Sequence, residues 1–361
     1  MIEIDFKEPT LEPVFLINEV RNGRNTEVIE KYILENHNLT IYEQLVKSGI
    51  MKNNEKVSKQ IKKEAESELK RITAVAKEEL DQEVLLKSQA EFYAKIMNVE
   101  EFEKKTRELL EFDQSSSLKM DILFCKIRMA VILNDQNMLA KNIEKAQDLS
   151  VLADWDRKNR FKVYLGLFNM MKGEFKEAAN NFYECLVSFE AEELFDFSHV
   201  ILYLVFSGLL GFKRSELETK IVSNSEVLKH REFLQLAEAF YFCNYGTFFA
   251  SLLAFIDLFK NDVFISVFSQ TFCREMKIKG YKQFLLSYQS VHMDKMADVF
   301  GVSQLHLEED IRTFVVANKI KCSIDKIDNI IIVEGVQCNK NIDKEIAKGS
   351  LVLREIRKKV N

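Results

Sequence analysis

The chain has 361 residues, a net charge of −5 and a 47% hydrophobic share that includes 28 Phe. That length exceeds one small core and supplies apolar material for two or three units. Only 2 Pro and 11 Gly leave too little turn chemistry for an all-β protein, and 30% charged residues of both signs with a negative balance exclude the basic field of a general nucleic-acid binder.

Cys125, Cys185, Cys243, Cys273, Cys322 and Cys338 stand far apart. No two have metal-ligand spacing, so reduced thiols are expected rather than a disulfide or zinc framework. Met1, Ile2, Glu3, Ile4 and Asp5 open the chain without a basic region leading into an apolar run, so no secretory signal is expected. The longest apolar run, residues 200–212, is interrupted by Ser207 and two glycines and is too short to span a bilayer. A buried core helix in a soluble intracellular protein is the expectation.

In chain order, residues 1–54 hold both prolines, Pro9 and Pro13, followed by helix-like pieces such as Val28, Ile29, Tyr32 and Ile33. From residue 55 to 97, Val57, Ile61, Ala65, Leu69, Ile72, Ala76 and Leu80 recur every three or four residues among mixed Lys and Glu, with no Gly or Pro. The spacing predicts one long helix, on the order of 60 Å at 1.5 Å per residue. So polar a helix needs a surface to lie against; a charged linker is the competing reading.

Residues 55–220 combine that helix with helical hairpins. Phe161, Val163, Tyr164, Leu165, Leu167 and Phe168 have helical spacing. A turn at Lys172, Gly173 and Glu174 precedes Phe175, Ala178, Ala179, Phe182 and Leu186. Small alanines facing aromatics let two helices approach closely, as in tetratricopeptide-like (TPR-like) repeats. A weaker copy lies before it, with residues 122–133, a turn at Asn134, Asp135 and Gln136, then Leu139, Ile143 and Ala146. An all-α solenoid of TPR-like hairpins is the expected architecture.

Residues 221–335 form the next expected domain. Phe240, Tyr241, Phe242, Phe248 and Phe249 read as helical core, with a turn at Gly246. Residues 274–333 read as a winged helix: helix, turn, helix, then a two-stranded wing. Phe284, Leu285 and Tyr288 share one helical face, and Met293, Met296, Ala297 and Phe300 another. Gly301 suits a left-handed helix end, and Ser303 suits the cap of a third helix that buries Leu307, Ile311, Phe314 and Val315. Two alternating runs, residues 320–327 and 330–333, meet at Asp328 and Asn329, a two-residue hairpin signal.

Such a unit reads DNA in many proteins. Here Glu308, Glu309 and Asp310 on the third helix would repel phosphate, and Lys319, Lys321 and Lys326 make no convincing footprint. The apolar strand Ile330, Ile331, Ile332 and Val333 better suits pairing with another protein's sheet edge. In residues 336–361, Ile342, Ile346, Gly349, Leu353, Ile356 and Val360 fall at alternating steps of four and three, flanked by Lys340, Lys344, Lys348, Arg354 and Lys358. That is a coiled-coil seam for partner helices, unless the helix folds back on its own chain.

Arg274, Glu275, Met276, Lys277 and Ile278, with Tyr281, Gln283, Phe284, Leu285, Ser287 and Tyr288, resemble the start of the winged helix in the PCI-domain family. Met296, Ala297, Phe300, Gly301, Val302, Ile320, Cys322, Ile324, Asp325 and Lys326 continue the resemblance. Upstream, Asp154, Trp155, Asp156, Arg157, Lys158, Asn159 and Arg160, with Lys162, Val163 and Tyr164, resemble the helical repeats of its proteasome-lid members. His292 stands where the family usually places a Ser or Thr cap, which puts that helix start in doubt.

The resemblance implies a non-catalytic scaffold subunit of the lid of the 26S proteasome regulatory particle, cytoplasmic and nuclear. Its partners would be other lid subunits, bound through PCI-to-PCI contacts and a C-terminal helix bundle, with ATPase or core-particle subunits as further neighbours. The signalosome and translation initiation factor three share the architecture and are the alternatives, with a winged-helix nucleic-acid binder behind them. No cofactor, small-molecule ligand, nucleic acid or membrane is expected. No phosphate-binding glycine loop, His-Glu-x-x-His pair or nucleophile elbow occurs. His37, His199, His230, His292 and His306 are scattered, and Glu192 and Glu193 read as ordinary helix-face acids.

Overall fold

The computed structural model describes residues 6–23, 26–78, 82–333 and 348–349. The chain divides into two compact units, one of residues 1–230 with 259–267 and one of residues 231–258 with 268–361.

In the first unit the helices are α1 (Glu12–Arg21), α2 (Glu27–Asn36), α3 (Leu39–Lys47), α4 (Glu55–Glu78), α5 (Gln82–Lys95), α6 (Val99–Phe112), α7 (Ser116–Leu133), α8 (Gln136–Ser150), α9 (Trp155–Lys172), α10 (Phe175–Cys185) and α11 (Phe197–Gly211). Two short pieces, α12 (Arg214–Leu217) and α13 (Ser225–Leu228), follow. Local chemistry accounts for many of the ends. The side chains of Asn98, Ser115 and Asp135 cap α6, α7 and α8 by accepting from backbone N–H groups. Asn134 (φ 56°) and Gly173 (φ 83°) end α7 and α9 in the left-handed conformation that lets the chain turn back.

The single long helix expected over residues 55–97 is not formed. α4 and α5 are separate helices packed on each other, and Gln89 Nε2 donates to Thr73 Oγ1 at 3.3 Å across them. The reason is burial: Leu86, Ala90, Phe92 and Ala94 on α5 are buried, and one continuous polar rod would leave Leu86 and Phe92 in water. The absence of Gly or Pro concealed the break.

The hairpins α7–α8 and α9–α10 form as the periodicity predicts. Ala178, Ala179 and Phe182 are fully buried where α10 lies against α9. Small residues set the helix spacing: a methyl group on Gly166 would lie 2.9 Å from the Phe182 ring. One on Gly211 would lie 2.6 Å from the Lys176 backbone, where α11 crosses the start of α10. The apolar run of residues 200–212 becomes α11, with Val200 through Leu209 buried. Tyr203 there donates to Asp262 Oδ2 at 2.9 Å, which fastens the 259–267 segment to this unit.

The second unit contains α14 (Arg231–Tyr241), α15 (Tyr245–Phe259), α16 (Ser269–Leu285), β1 (Ser290–His292), α17 (Met293–Phe300), α18 (Gln304–Val316), β2 (Cys322–Asp325) and β3 (Ile330–Val333). The turn expected at Gly246 lies at Cys243, which adopts φ 58°, and Gly246 is inside the first turn of α15. Phe300 is the hub of the core. Its ring centroid is 4.8 Å from that of Tyr245, 5.0 Å from Tyr281 and 5.5 Å from Phe284. Phe248 is fully buried, whereas Phe242 is two-thirds exposed and not the core residue expected.

Candidate protein interface

The sheet of the second unit has three strands in the order β1-β3-β2, all antiparallel, with Val291 and Ile324 both opposite Ile331. The expected two-stranded wing therefore needs correction. β1 has only three residues and carries no alternation long enough to read. Because β3 pairs on both sides, Ile330, Ile331, Ile332 and Val333 do not form a sheet edge. Ile331 is fully buried, Ile330 and Val333 are half-buried, and Ile332 is 45% exposed. Of these four residues Ile332 is the most exposed, and the outer strands of the sheet are β1 and β2.

The hairpin turn also differs. Asp325 is opposite Ile330, so residues 326–329 form a four-residue connection. Asp325 Oδ1 accepts from the Ile327 N–H at 2.9 Å and the Asp328 N–H at 3.4 Å, and Asn329 takes φ 55°. This loop also repairs the helix start at His292. The His292 side chain makes no cap, and the Met293 N–H donates to the Asn329 carbonyl at 2.9 Å. Asn329 Nδ2 donates to Asp294 Oδ1 at 2.9 Å, while its Oδ1 accepts from Gln304 Nε2 at 2.8 Å. Asn329 joins wing, α17 and α18. Its turn-forming character was visible in sequence; its long-range partners were not.

Met293, Met296, Ala297 and Phe300 are buried as predicted, Gly301 takes φ 65°, and Ser303 accepts from the His306 N–H. Leu307, Ile311 and Phe314 are buried and Val315 half-buried. The acidic face of α18 is not the bare surface expected. Only Glu309 is exposed. Asp310 accepts from Lys277 Nζ at 2.9 Å and Tyr281 Oη at 3.0 Å, and Glu308 pairs with Lys326 at 2.7 Å. Both signs are thus used within the unit, and Lys326 is drawn to a carboxylate rather than offered to phosphate. Burial and the neighbouring Asp310 carboxylate push the Tyr281 hydroxyl far up, so it remains a neutral donor.

A second polar cluster lies inside the first unit, and the expectation for Glu193 is wrong there. Glu193 is not on a helix face but in the turn before α11, and it is buried. Its Oε1 accepts from Arg160 Nη2 and Tyr164 Oη, each at 2.8 Å, and lies 3.6 Å from Arg128 Nη1. Arg128 is fully buried. It donates to the carbonyls of Pro9 at 2.7 Å and Phe6 at 2.6 Å. The Leu11 N–H donates to the Glu193 carbonyl at 3.1 Å. An extended segment preceding α1 is thereby tied to α7, α9 and the turn before α11. Burial disfavours the Glu193 carboxylate, but the guanidinium groups of Arg128 and Arg160 outweigh it and hold its pKa below the ordinary value. This arrangement braces the fold; it has neither an exposed nucleophile nor an open cleft.

Among the described residues, no three His, Cys, Asp or Glu side chains gather as a metal site, and no helix is long and apolar enough to cross a membrane. Ile342, Ile346, Leu353, Ile356 and Val360 lie outside the described residues.

A helical array in one unit, with a winged helix carrying a three-stranded sheet in the other, defines a PCI-type protein; the PCI domain profile matches residues 255–335. The profile described as 26S proteasome subunit RPN7 matches residues 43–220. The chain is 34% identical over 322 residues to the 26S proteasome non-ATPase regulatory subunit 6 of Dictyostelium discoideum, covering 85% of this chain and 84% of that protein. It is 31% identical to the 26S proteasome regulatory subunit rpn7 of Schizosaccharomyces pombe, over 76% of this chain and 71% of that protein. It is also 28% identical to the 26S proteasome non-ATPase regulatory subunit 6 homolog of Arabidopsis thaliana, over 97% and 91%. The chain belongs to the RPN7 family of 26S proteasome regulatory subunits.

Proposed function

We propose that the chain is a non-catalytic scaffold subunit of the lid of the 26S proteasome regulatory particle, acting in ubiquitin-dependent degradation in cytoplasm and nucleus. The observation that carries this reading is the pairing of two family matches, RPN7 over residues 43–220 and PCI over residues 255–335, in one chain. The polar clusters agree with a scaffold. Asp310 and Glu193 are committed to internal hydrogen bonds, the use to which buried carboxylates are put when they fix geometry rather than transfer protons. The partners would be other lid subunits, with ATPase or core-particle subunits as further neighbours, and no nucleic acid, membrane or small molecule.

Contacts to those partners are assigned to the wing and the C-terminal segment. Ile332 is the exposed apolar residue of β3, with half-buried Ile330 and Val333 beside it, and Ile327 is exposed in the turn of the wing. Ile342, Ile346, Leu353, Ile356 and Val360 supply a coiled-coil seam. The signalosome and initiation-factor alternatives have no support in the relatives described above, which carry proteasome names.

Native affinity purification of the tagged chain, with mass spectrometry and a peptidase assay, tests the assignment. Recovery of lid, ATPase and core-particle subunits with ATP-dependent peptidase activity is expected. Recovery of signalosome or initiation-factor subunits without that activity would overturn it.

A further inference from the structure

In the first unit, three alternate inter-helix turns lie side by side. Ser116 Oγ, at the start of α7, donates to the Leu152 carbonyl between α8 and α9 at 3.4 Å, and Ser117 Oγ donates to Asp154 Oδ2 at 2.8 Å. Asn159 Nδ2, in the first turns of α9, donates to Ser188 Oγ after α10 at 2.9 Å. These bonds place the α6–α7, α8–α9 and α10–α11 connections along one edge of the helical array.

That edge is unusually apolar for solvent. Phe112 is 58% exposed, Val151 74%, Leu152 72%, Trp155 62% and Val187 93%. Single exposed apolar residues need no explanation, but five large ones on adjoining turns amount to roughly several hundred Å², the range in which apolar patches mark contact sites. Trp155 is the chain's only tryptophan, and tryptophan is a residue type enriched at the anchoring centres of interfaces.

The charge around the patch has one predominant sign. Asp148, Asp154, Asp156, Glu190 and Glu192 are exposed on these turns or their flanks. The basic residues are fewer: Lys145 and Lys158 are exposed and Lys119 is half-buried, while Arg157 is held by Asp121 at 2.7 Å and Asp154 at 3.4 Å. An acidic border around an apolar strip repels acidic partners and attracts cationic ones, and the indole face adds a cation–π contact for Lys or Arg.

We infer that this edge docks a cationic amphipathic segment of a partner protein, one that presents large aliphatic or aromatic residues at helical spacing between Lys and Arg. The apolar side chains would seat among Leu152, Trp155 and Val187, and the cations would meet Asp154, Asp156, Glu190 and Glu192. The contact is distinct from the wing and from the C-terminal seam.

Trp155 supplies the readout. The purified full-length chain is titrated with a synthetic 18-residue Lys/Leu amphipathic peptide, and with a Glu/Leu peptide of the same pattern, while tryptophan emission is followed. The expected result is a saturable blue shift with the cationic peptide at micromolar concentrations, weakened several-fold between 50 mM and 300 mM salt, and no shift with the acidic one. Because amphipathic peptides adhere widely, the chain carrying Leu152→Ser and Val187→Asp is titrated in parallel. These positions are exposed, so its thermal melt should match the parent while its affinity falls at least tenfold. No shift, an equal shift with both peptides, or unchanged affinity in the folded double variant would overturn the inference. The isolated chain is used, so that failure would leave the lid assignment standing, and failure to enter the lid would not explain away a negative titration.

Discussion

Arg128 Nη1 lies 3.6 Å from Glu193 Oε1, with both side chains almost wholly withdrawn from solvent, and Tyr164 Oη bonds to each of them. The two residues are 65 positions apart (193 − 128) and come from α7 and the turn before α11. Their pairing makes the extended segment at residues 6–11 part of the folded array, because the remaining Arg128 donors are spent on its carbonyls.

Removing Arg128 leaves the Phe6 and Pro9 carbonyls without their donor and takes from Glu193 one of its two guanidinium partners, Arg160 remaining; the loss of a buried ion pair costs up to about 3–5 kcal/mol. Arg128→Met is expected to lower denaturant stability by that order and to expose residues 6–11 to limited proteolysis. Unchanged stability with equal protease resistance would show that the segment is held by apolar contacts alone.

The same cluster sets an acid limit. Glu193 has a folded-state pKa below its ordinary 4.5, so its stabilising contribution is complete above that value and is lost as pH falls through the depressed one. Thermal melts from pH 6 to pH 3 should show a steeper fall for the parent than for Glu193→Gln, which is less stable at neutral pH but lacks this titration. Parallel curves would remove Glu193 from the acid response.

Helix spacing offers a third test. Gly211→Ala places a methyl group 2.6 Å from the Lys176 backbone, where no flexible side chain can move aside. Overpacking of this kind costs about 1–3 kcal/mol, and the melting temperature should drop accordingly. Gly246→Ala, whose added carbon meets nothing nearer than 3.9 Å, is the control and should be nearly neutral.

The wing separates packing from contact. Ile331→Asp buries a carboxylate at the centre of the sheet and should unfold the winged helix. Ile332→Asp should leave the circular dichroism spectrum unchanged and reduce incorporation into the lid. Normal incorporation of folded Ile332→Asp would exclude the exposed face of β3 as an interface.

For the C-terminal segment, truncation after Gly335 should leave a folded chain that fails to join its complex. Normal incorporation of the truncated chain would dispose of the coiled-coil seam proposed for Ile342, Ile346, Leu353, Ile356 and Val360.

Much of this architecture was legible in the sequence, because the signals were local. The hairpins α7–α8 and α9–α10 follow from 3.6-residue periodicity and from turns at Asn134 and Gly173, where a left-handed residue is needed within a few positions of the apolar face it ends. The winged helix was readable through Met293, Met296, Ala297, Phe300 and Gly301 for the same reason. The match of residue types to the PCI family was likewise carried by short blocks.

What the tertiary structure alone decided depends on residues distant in the chain. The break between α4 and α5 has no Gly or Pro to announce it; the burial of Leu86 and Phe92 favours it. β3 became a central strand only because residues 290–292 return to pair with it, and so Ile331 is core and Ile332 is surface. Glu193 looked like one more exposed acid because its partners Arg128, Arg160 and Tyr164 lie 65, 33 and 29 positions away (193 − 128, 193 − 160, 193 − 164). Periodicity reports which face of an element is apolar; it carries no information about which buried charge another element will bring to meet it.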